Sequence, residues 1–303
     1  IYPSLPGLKD AGLFRQAALI GGQWLPAASG KVVEVTNPAT GRVIGTVPDV
    51  SGAETAAAIA AADAAFQGWR KLPHATRAAA LERWFALMEE NAEDLALILT
   101  LEQGKPLAEA KGEIAYGASF VKWFAEEARR IDGSVIPAPA GDRKIVVLKE
   151  PVGVSAIVTP WNFPNAMITR KVAPALAAGC TVVLKPAEET PLTAMRLAQL
   201  VLEAGIPEGV VNVITGTGHE AGAALVAHPG IAKITFTGST ETGKMIGIQA
   251  MKDMKRVTLE LGGKAPMVMF DDMDLDLLGA AAGIGTFFNT GQTCCAGVRI
   301  YAQ

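Results

Sequence analysis

Lys233-Ile234-Thr235-Phe236-Thr237-Gly238-Ser239-Thr240-Glu241-Thr242-Gly243 reads as a short β-branched strand that turns on a glycine and opens a helix. Working outward, the same unit recurs. Residues 152–158, 181–184, 210–215, 233–236, 257–261 and 267–270 are short apolar, β-branched runs. Helical stretches at 167–178, 192–203 and 220–227 separate the first four, and 241–251 precedes the fifth. Strands that read as buried and alternate with helices predict an α/β fold, a doubly wound parallel sheet with right-handed crossovers.

Upstream, residues 19–47 read as short strands broken by turn signals at Gly21-Gly22, Ser29-Gly30 and Asn37-Pro38. Three helices follow, at 53–69, 76–101 and 107–131. Ile59, Ala62 and Phe66 mark one face of the first. Leu81, Trp84, Phe85 and Met88 mark the second, and Tyr116, Phe120, Trp123 and Phe124 the third. Such stripes read as core. Residues 132–150 read as a loop and a β-hairpin arm. The expected organisation is one unit from 1–131 and 151–260, the arm at 132–150, and the start of a second α/β domain at 261–303.

With 303 residues, half of them hydrophobic, and a net charge of -3, the chain has material for about two domains. That charge argues against nucleic acid or a membrane surface as the main partner. No apolar run reaches the ~18 residues that span a bilayer. Three cysteines, two of them adjacent, make no disulfide framework, so a reducing compartment is expected. That is the cytoplasm or, behind a presequence upstream of Ile1, the mitochondrial matrix. The chain stops nine residues after Cys294 and reads as a fragment.

Three stretches carry chemistry. In Phe287-Phe288-Asn289-Thr290-Gly291-Gln292-Thr293-Cys294-Cys295-Ala296-Gly297, a glycine and a glutamine ahead of a cysteine pair display a thiol on a tight turn. Leu259-Glu260-Leu261-Gly262-Gly263-Lys264 ends a strand with a carboxylate. Thr159-Pro160-Trp161-Asn162-Phe163-Pro164 ends another with a carboxamide between two prolines. Nucleophile, base and oxyanion donor are the three parts that acyl-type chemistry on a carbonyl requires. A cysteine pair without nearby histidine is a poor zinc set, so no metal is expected. His74, His219 and His228 lie far from it in sequence, and Cys180 reads as a buried, inert thiol.

From about Ile20 onward these stretches resemble the NAD(P)-dependent aldehyde dehydrogenases. The resemblance implies that Cys294 is the nucleophile, with Cys295 its neighbour. Asn162 and the Cys294 N–H then hold the oxyanion, Glu260 activates water, and Lys171 lies nearby. It further implies a thiol pKa lowered by the nicotinamide cation and backbone dipoles. The arm at 132–150 helps build oligomers in this family, so a homodimer or homotetramer is expected of the complete protein.

No Gly-x-Gly-x-x-Gly follows the first strand. The turn at Gly238-Ser239 offers a helix N-terminus to a pyrophosphate instead. By resemblance, Ile157, Thr159, Pro160, Trp161, Lys185, Ala187, Glu188, Gly218, Phe236, Gly238, Ser239, Gly243 and Leu261 line the cofactor. Lys185 and Glu188 hold the adenosine ribose. A carboxylate there repels a 2′-phosphate, so NAD is expected over NADP. Residues 101–110 (Leu-Glu-Gln-Gly-Lys-Pro-Leu-Ala-Glu-Ala) and 166–171 (Ala-Met-Ile-Thr-Arg-Lys) resemble succinate-semialdehyde dehydrogenases. This implies that Arg170 binds a substrate carboxylate, in a pocket completed by Phe163, Phe288, Thr293 and Cys295. A second arginine of that pattern is Phe288 here, as in broad-range aldehyde dehydrogenases. Acyl transfer to coenzyme A and a non-catalytic cofactor-binding role are the competing readings. Glu260 argues against the first, and the intact Asn162, Glu260 and Cys294 against the second.

Overall fold

The computed structural model describes residues 7–9 and 15–303, without the side chains of Leu275 and Asp276. The first residues of the expected 1–131 segment, 1–6 and 10–14, lie outside them. Four short strands open the chain: β1 (Ala18–Ile20), β2 (Gln23–Leu25), β3 (Val32–Thr36) and β4 (Val43–Pro48). Helices α1 (Gly52–Trp69), α2 (His74–Glu90), α3 (Ala92–Gln103) and α4 (Leu107–Glu127) follow, then the antiparallel arm β5 (Ser134–Pro137) and β6 (Lys144–Val147). Next come β7 (Val154–Val158), α5 (Ala166–Ala177), β8 (Thr181–Lys185), α6 (Leu192–Glu203), β9 (Val211–Val213) and α7 (Ala223–Ala227). The chain closes with β10 (Lys233–Gly238), α8 (Thr240–Met251), β11 (Arg256–Leu261), β12 (Pro266–Met269), α9 (Leu275–Phe287) and β13 (Arg299–Ala302).

Seven strands form one sheet in the order β11-β10-β7-β8-β9-β1-β2. The five from β11 to β9 are parallel. β1 joins β9 antiparallel, through Leu19 opposite Val213, so the sheet is mixed at that end. Alternate residues of each strand serve opposite faces. Val182 and Leu184 of β8 join a core with α2, α4, α5 and α6, while Val183 joins a second core with α1, α7 and α8. Every residue of β8 and β9 is buried, whereas β11 alternates exposed and half-buried. No helix among the described residues is long and apolar enough to cross a membrane.

Three expectations need correction. The helix expected over 76–101 is two helices, because Asn91 Nδ2 turns back onto the Leu87 carbonyl at 2.8 Å while its Oδ1 accepts from Arg196 at 2.6 Å. An asparagine that satisfies backbone groups itself ends a helix. The aromatic stripe on α4 is core only in part: Tyr116 and Trp123 are exposed, Phe120 is half-buried, and Phe124 packs against the core. The buried face is instead Ala110, Ile114, Gly117, Ala118, Val121 and Ala125. Small residues win there because α5 lies so close that a Cβ on Gly117 would stand 2.3 Å from Asn165 Nδ2. Finally, α9 covers 275–287, where no helix is predicted.

Candidate active site

The parallel register brings the strand ends together. Val158 of β7 is level with Lys185 of β8 and Phe236 of β10. Thr237 and Gly238 stand beside Glu260 and Leu261 of β11. The turns that leave these strands share one carboxyl edge, the usual ligand edge of an α/β sheet. A cavity of about 390 Å³ opens there, lined by Val158, Lys185, Gly218, Phe236, Thr242 and Ile246 among others. Its wall from α8 approaches closely: a Cβ on Gly243 would lie 2.4 Å from Leu261 Cδ2. Gly238 leaves room for the Phe236 ring, which would otherwise stand 2.5 Å from a Cβ. Ser239 caps α8, its hydroxyl accepting from Thr242 N at 3.2 Å.

Lys185 is buried, donating to the Pro186 carbonyl at 3.0 Å and to Glu188 at 3.1 Å. Thr159 Oγ1 and Thr237 Oγ1 are buried near the same edge with no partner among the described residues. An apolar slot beside an ion pair and unpartnered hydroxyls is the kind of lining that would suit a dinucleotide. Trp161 is partly exposed and Ala187 buried. Ile157 lies elsewhere, lining a separate cavity of about 350 Å³ with Arg170, Lys171 and Cys180.

The chemical groups come from four segments. Asn162 follows β7 and donates from Nδ2 to the Gln292 carbonyl at 2.9 Å, two residues before Cys294. Glu260 is exposed near the end of β11. Cys294 and Cys295 occupy an exposed turn between α9 and β13, and Cys180 is buried. Lys171 on α5 is buried, and that burial pulls its pKa down to about 8. The Arg170 cation pushes the same way, while the Glu260 carboxylate and the Cys294 thiolate oppose it. One ammonium thus feels both the Glu260 carboxylate and the Cys294 sulfur. Burial, then Cys295, raises the Cys294 thiol, and backbone N–H groups pull it partly back. The lowered pKa expected of this thiol is therefore not a property of the protein alone.

Arg170 stacks over the exposed stripe of α4, 5.8 Å from the Tyr116 ring centre and 4.6 Å from that of Phe120. It also donates to Tyr116 Oη at 3.2 Å. The Phe163 and Phe288 rings stack at 6.2 Å, and Thr293 Oγ1 donates to the Phe288 carbonyl at 3.2 Å.

Sequence reasoning misses the residues that brace these loops. Asn289 is wholly buried and left-handed, at φ 55° and ψ 42°. It donates from Nδ2 to the Asn162 carbonyl at 2.9 Å. Gln103 donates to Gln292 Oε1 at 3.1 Å. Lys105, Glu109 and Glu113 also reach the site. The signal available was the four-residue spacing of Glu109 and Glu113 on a helix, which puts both on one face.

The chain is 57% identical over 296 residues to the glutarate-semialdehyde dehydrogenase of Pseudomonas putida, covering 98% of this chain and 62% of that one. It is 54% identical to the succinate-semialdehyde dehydrogenase [NADP(+)] of Escherichia coli, covering 98% of this chain and 61% of the relative. A crystal structure of an E. coli NADP dependent enzyme superposes with a TM-score of 0.97 at 54% identity, over 98% of this chain and 62% of that one. The chain thus spans about three-fifths of the length of these relatives. The profile described as "Aldehyde dehydrogenase family" matches residues 24–303, and the chain belongs to that family.

Proposed function

We propose that the chain carries the cofactor site, nucleophile and base of an NAD-dependent dehydrogenase that oxidises a carboxylated semialdehyde to the acid. The observation that carries this reading is the Asn162 amide reaching the Gln292 carbonyl at 2.9 Å, which sets an oxyanion donor against the cysteine turn. The Cys294 thiolate adds to the aldehyde carbon, and Asn162 Nδ2 and the Cys294 N–H take the developing oxyanion. One such donor is worth about 3–4 kcal/mol of transition-state stabilisation. The bound cofactor supplies an acceptor for the hydride that leaves this carbon. Glu260 then removes a proton from water, the hydroxide attacks the thioester carbon, and the carboxylic acid departs as the thiolate returns. Lys171 is a nearby cation that favours the thiolate.

NAD is the proposed cofactor although one relative is named for NADP(+). The ribose edge is assigned to the Glu188 carboxylate, which accepts from the Lys185 ammonium at 3.1 Å and would repel a 2′-phosphate. The substrate proposal rests on Arg170, whose guanidinium is braced by two rings and keeps donors free for a carboxylate. Relatives named for glutarate and succinate semialdehyde support it. Phe288 against Phe163 makes the rest of the pocket apolar, so uncharged aldehydes are secondary substrates. The exposed arm β5–β6 supports a homo-oligomer, and three unpaired thiols support a reducing compartment.

The test is the ratio of kcat/KM for succinate semialdehyde to that for an uncharged aldehyde, measured on the full gene product. A charge-assisted hydrogen bond is worth about 1.5–3 kcal/mol, or roughly 10–100-fold. Arg170→Leu should lower the ratio by that factor, and Phe288→Arg should raise it. An unchanged ratio in Arg170→Leu refutes the semialdehyde reading and leaves a general aldehyde dehydrogenase.

A further inference from the structure

The loop that presents Asn162 has no regular structure of its own. Asn162 Nδ2 donates to the Gln292 carbonyl, while Asn162 Oδ1 is buried without a partner among the described residues. What fixes the loop is its backbone. The Asn162 carbonyl accepts from Lys105 Nζ at 3.0 Å and from Asn289 Nδ2 at 2.9 Å. Both donors are buried, Lys105 1% exposed and Asn289 0%. They come from two distant segments, Lys105 from the turn before α4 and Asn289 from the turn before the cysteine pair.

Each donor is itself secured. Lys105 Nζ pairs with Glu113 and lies 4.2 Å from the centre of the Phe163 ring. The other oxygen of Glu113 accepts from Asn165 N at 2.9 Å and Ala166 N at 3.1 Å. One buried ion pair therefore grips both ends of the segment from Asn162 to Ala166. Asn289 has its N–H taken by Glu109 Oε2 at 2.8 Å, and its amide also reaches the Gln292 carbonyl at 3.3 Å. Glu109 and Glu113 are one turn apart on α4, so a single helix face holds the two loops of the site in register. Burying an ion pair is costly unless its remaining hydrogen bonds are met, and here they are met by the loop.

We propose that Lys105 and Asn289 are positioning residues for Asn162, two donors that clamp its backbone carbonyl and so aim its carboxamide at the carbonyl of the bound aldehyde. The proposal rests on Asn162 being the oxyanion donor. A misplacement of about 1 Å at such a donor can cost on the order of 100-fold in rate. The loss should fall on kcat, because a donor that strengthens only in the transition state adds little to substrate binding.

Two independent variants test it in the full gene product. Asn289→Gly removes the amide while glycine keeps the left-handed backbone without strain. Lys105→Met with Glu113→Gln removes the clamp without stranding a buried charge, and glutamine can still accept from the loop. Each should lower kcat by roughly 10–100-fold with KM changed by less than about threefold. The alkylation rate of Cys294 should hold, because the thiol is not what moves. In an Asn162→Ala background the same changes should cost less than about twofold, since residues acting through one group are non-additive. If Asn162→Ala lowers kcat but the Asn289→Gly loss persists undiminished in that background, the positioning role is overturned. The same follows if alkylation slows in step with kcat, which would place the effect on the cysteine turn. If Asn162→Ala leaves kcat intact, the oxyanion reading itself fails and the proposal with it.

Discussion

Lys171→Met is the most informative single change, because it separates what the buried ammonium costs the fold from what it does for the site. The side chain is only 7% exposed, and its pKa is pulled from 10.5 to about 8, chiefly by burial. A fall of this size is worth about 3 kcal/mol. The sign follows from proton counting. Between about pH 8 and pH 10.5 the unfolded chain holds the lysine proton and the folded chain has lost it, so stability rises with pH through that window. Below about pH 8 the folded protein carries the whole cost of a charged, desolvated ammonium. Lys171→Met should therefore be more stable than the parent by up to about 3 kcal/mol near pH 7, and the gain should vanish toward pH 10.5. Urea midpoints of the two proteins across that range measure it. The same variant should alkylate more slowly at Cys294, because the cation that favours the thiolate is gone. A stability difference that is flat with pH would refute the argument, since it would mean that the lysine titrates alike in both states.

Two further outcomes are expected. Cys294→Ala should abolish aldehyde oxidation, whereas Cys295→Ala should keep at least about a tenth of it; the reverse order in steady-state rates would move the nucleophile by one residue. NAD should exceed NADP in kcat/KM by at least about tenfold, or about 1.4 kcal/mol, and Glu188→Ser should narrow the gap; equal use of both cofactors by the parent refutes the placement of Glu188 at the ribose.

The parallel sheet is legible in the sequence because β8 and β9 are buried on both faces and so read as mostly β-branched, apolar runs, interrupted in β9 only by the buried Asn212. The positions of Lys185, Gly238 and Glu260 at the ends of β8, β10 and β11, and of Asn162 just beyond β7, follow from it, since these strands end at the same edge. Other features are hidden for physical reasons. Asn91 ends α2 through a side chain-to-backbone bond that no hydrophobic period encodes. The buried face of α4 is built from alanine, glycine and small aliphatic side chains, and the aromatic stripe one face over masks it. Asn289 and Thr290 are both left-handed without being glycine, which only their surroundings can enforce. Those surroundings include Glu109, held 180 positions away in the chain.

The seam between β1 and β9 sets a timetable for the nascent chain. Gly21 N donates to Asn212 Oδ1 across 191 positions of sequence. At about 5–20 residues per second, β1 leaves the ribosome about 10–40 s before the strand that will receive it exists. Through that interval the buried Leu19 has no sheet to enter, and the β1–β2 hairpin alone is too small to persist in water. β1 therefore cannot dock until β9 has been made, and closing that side of the sheet is a long-range step.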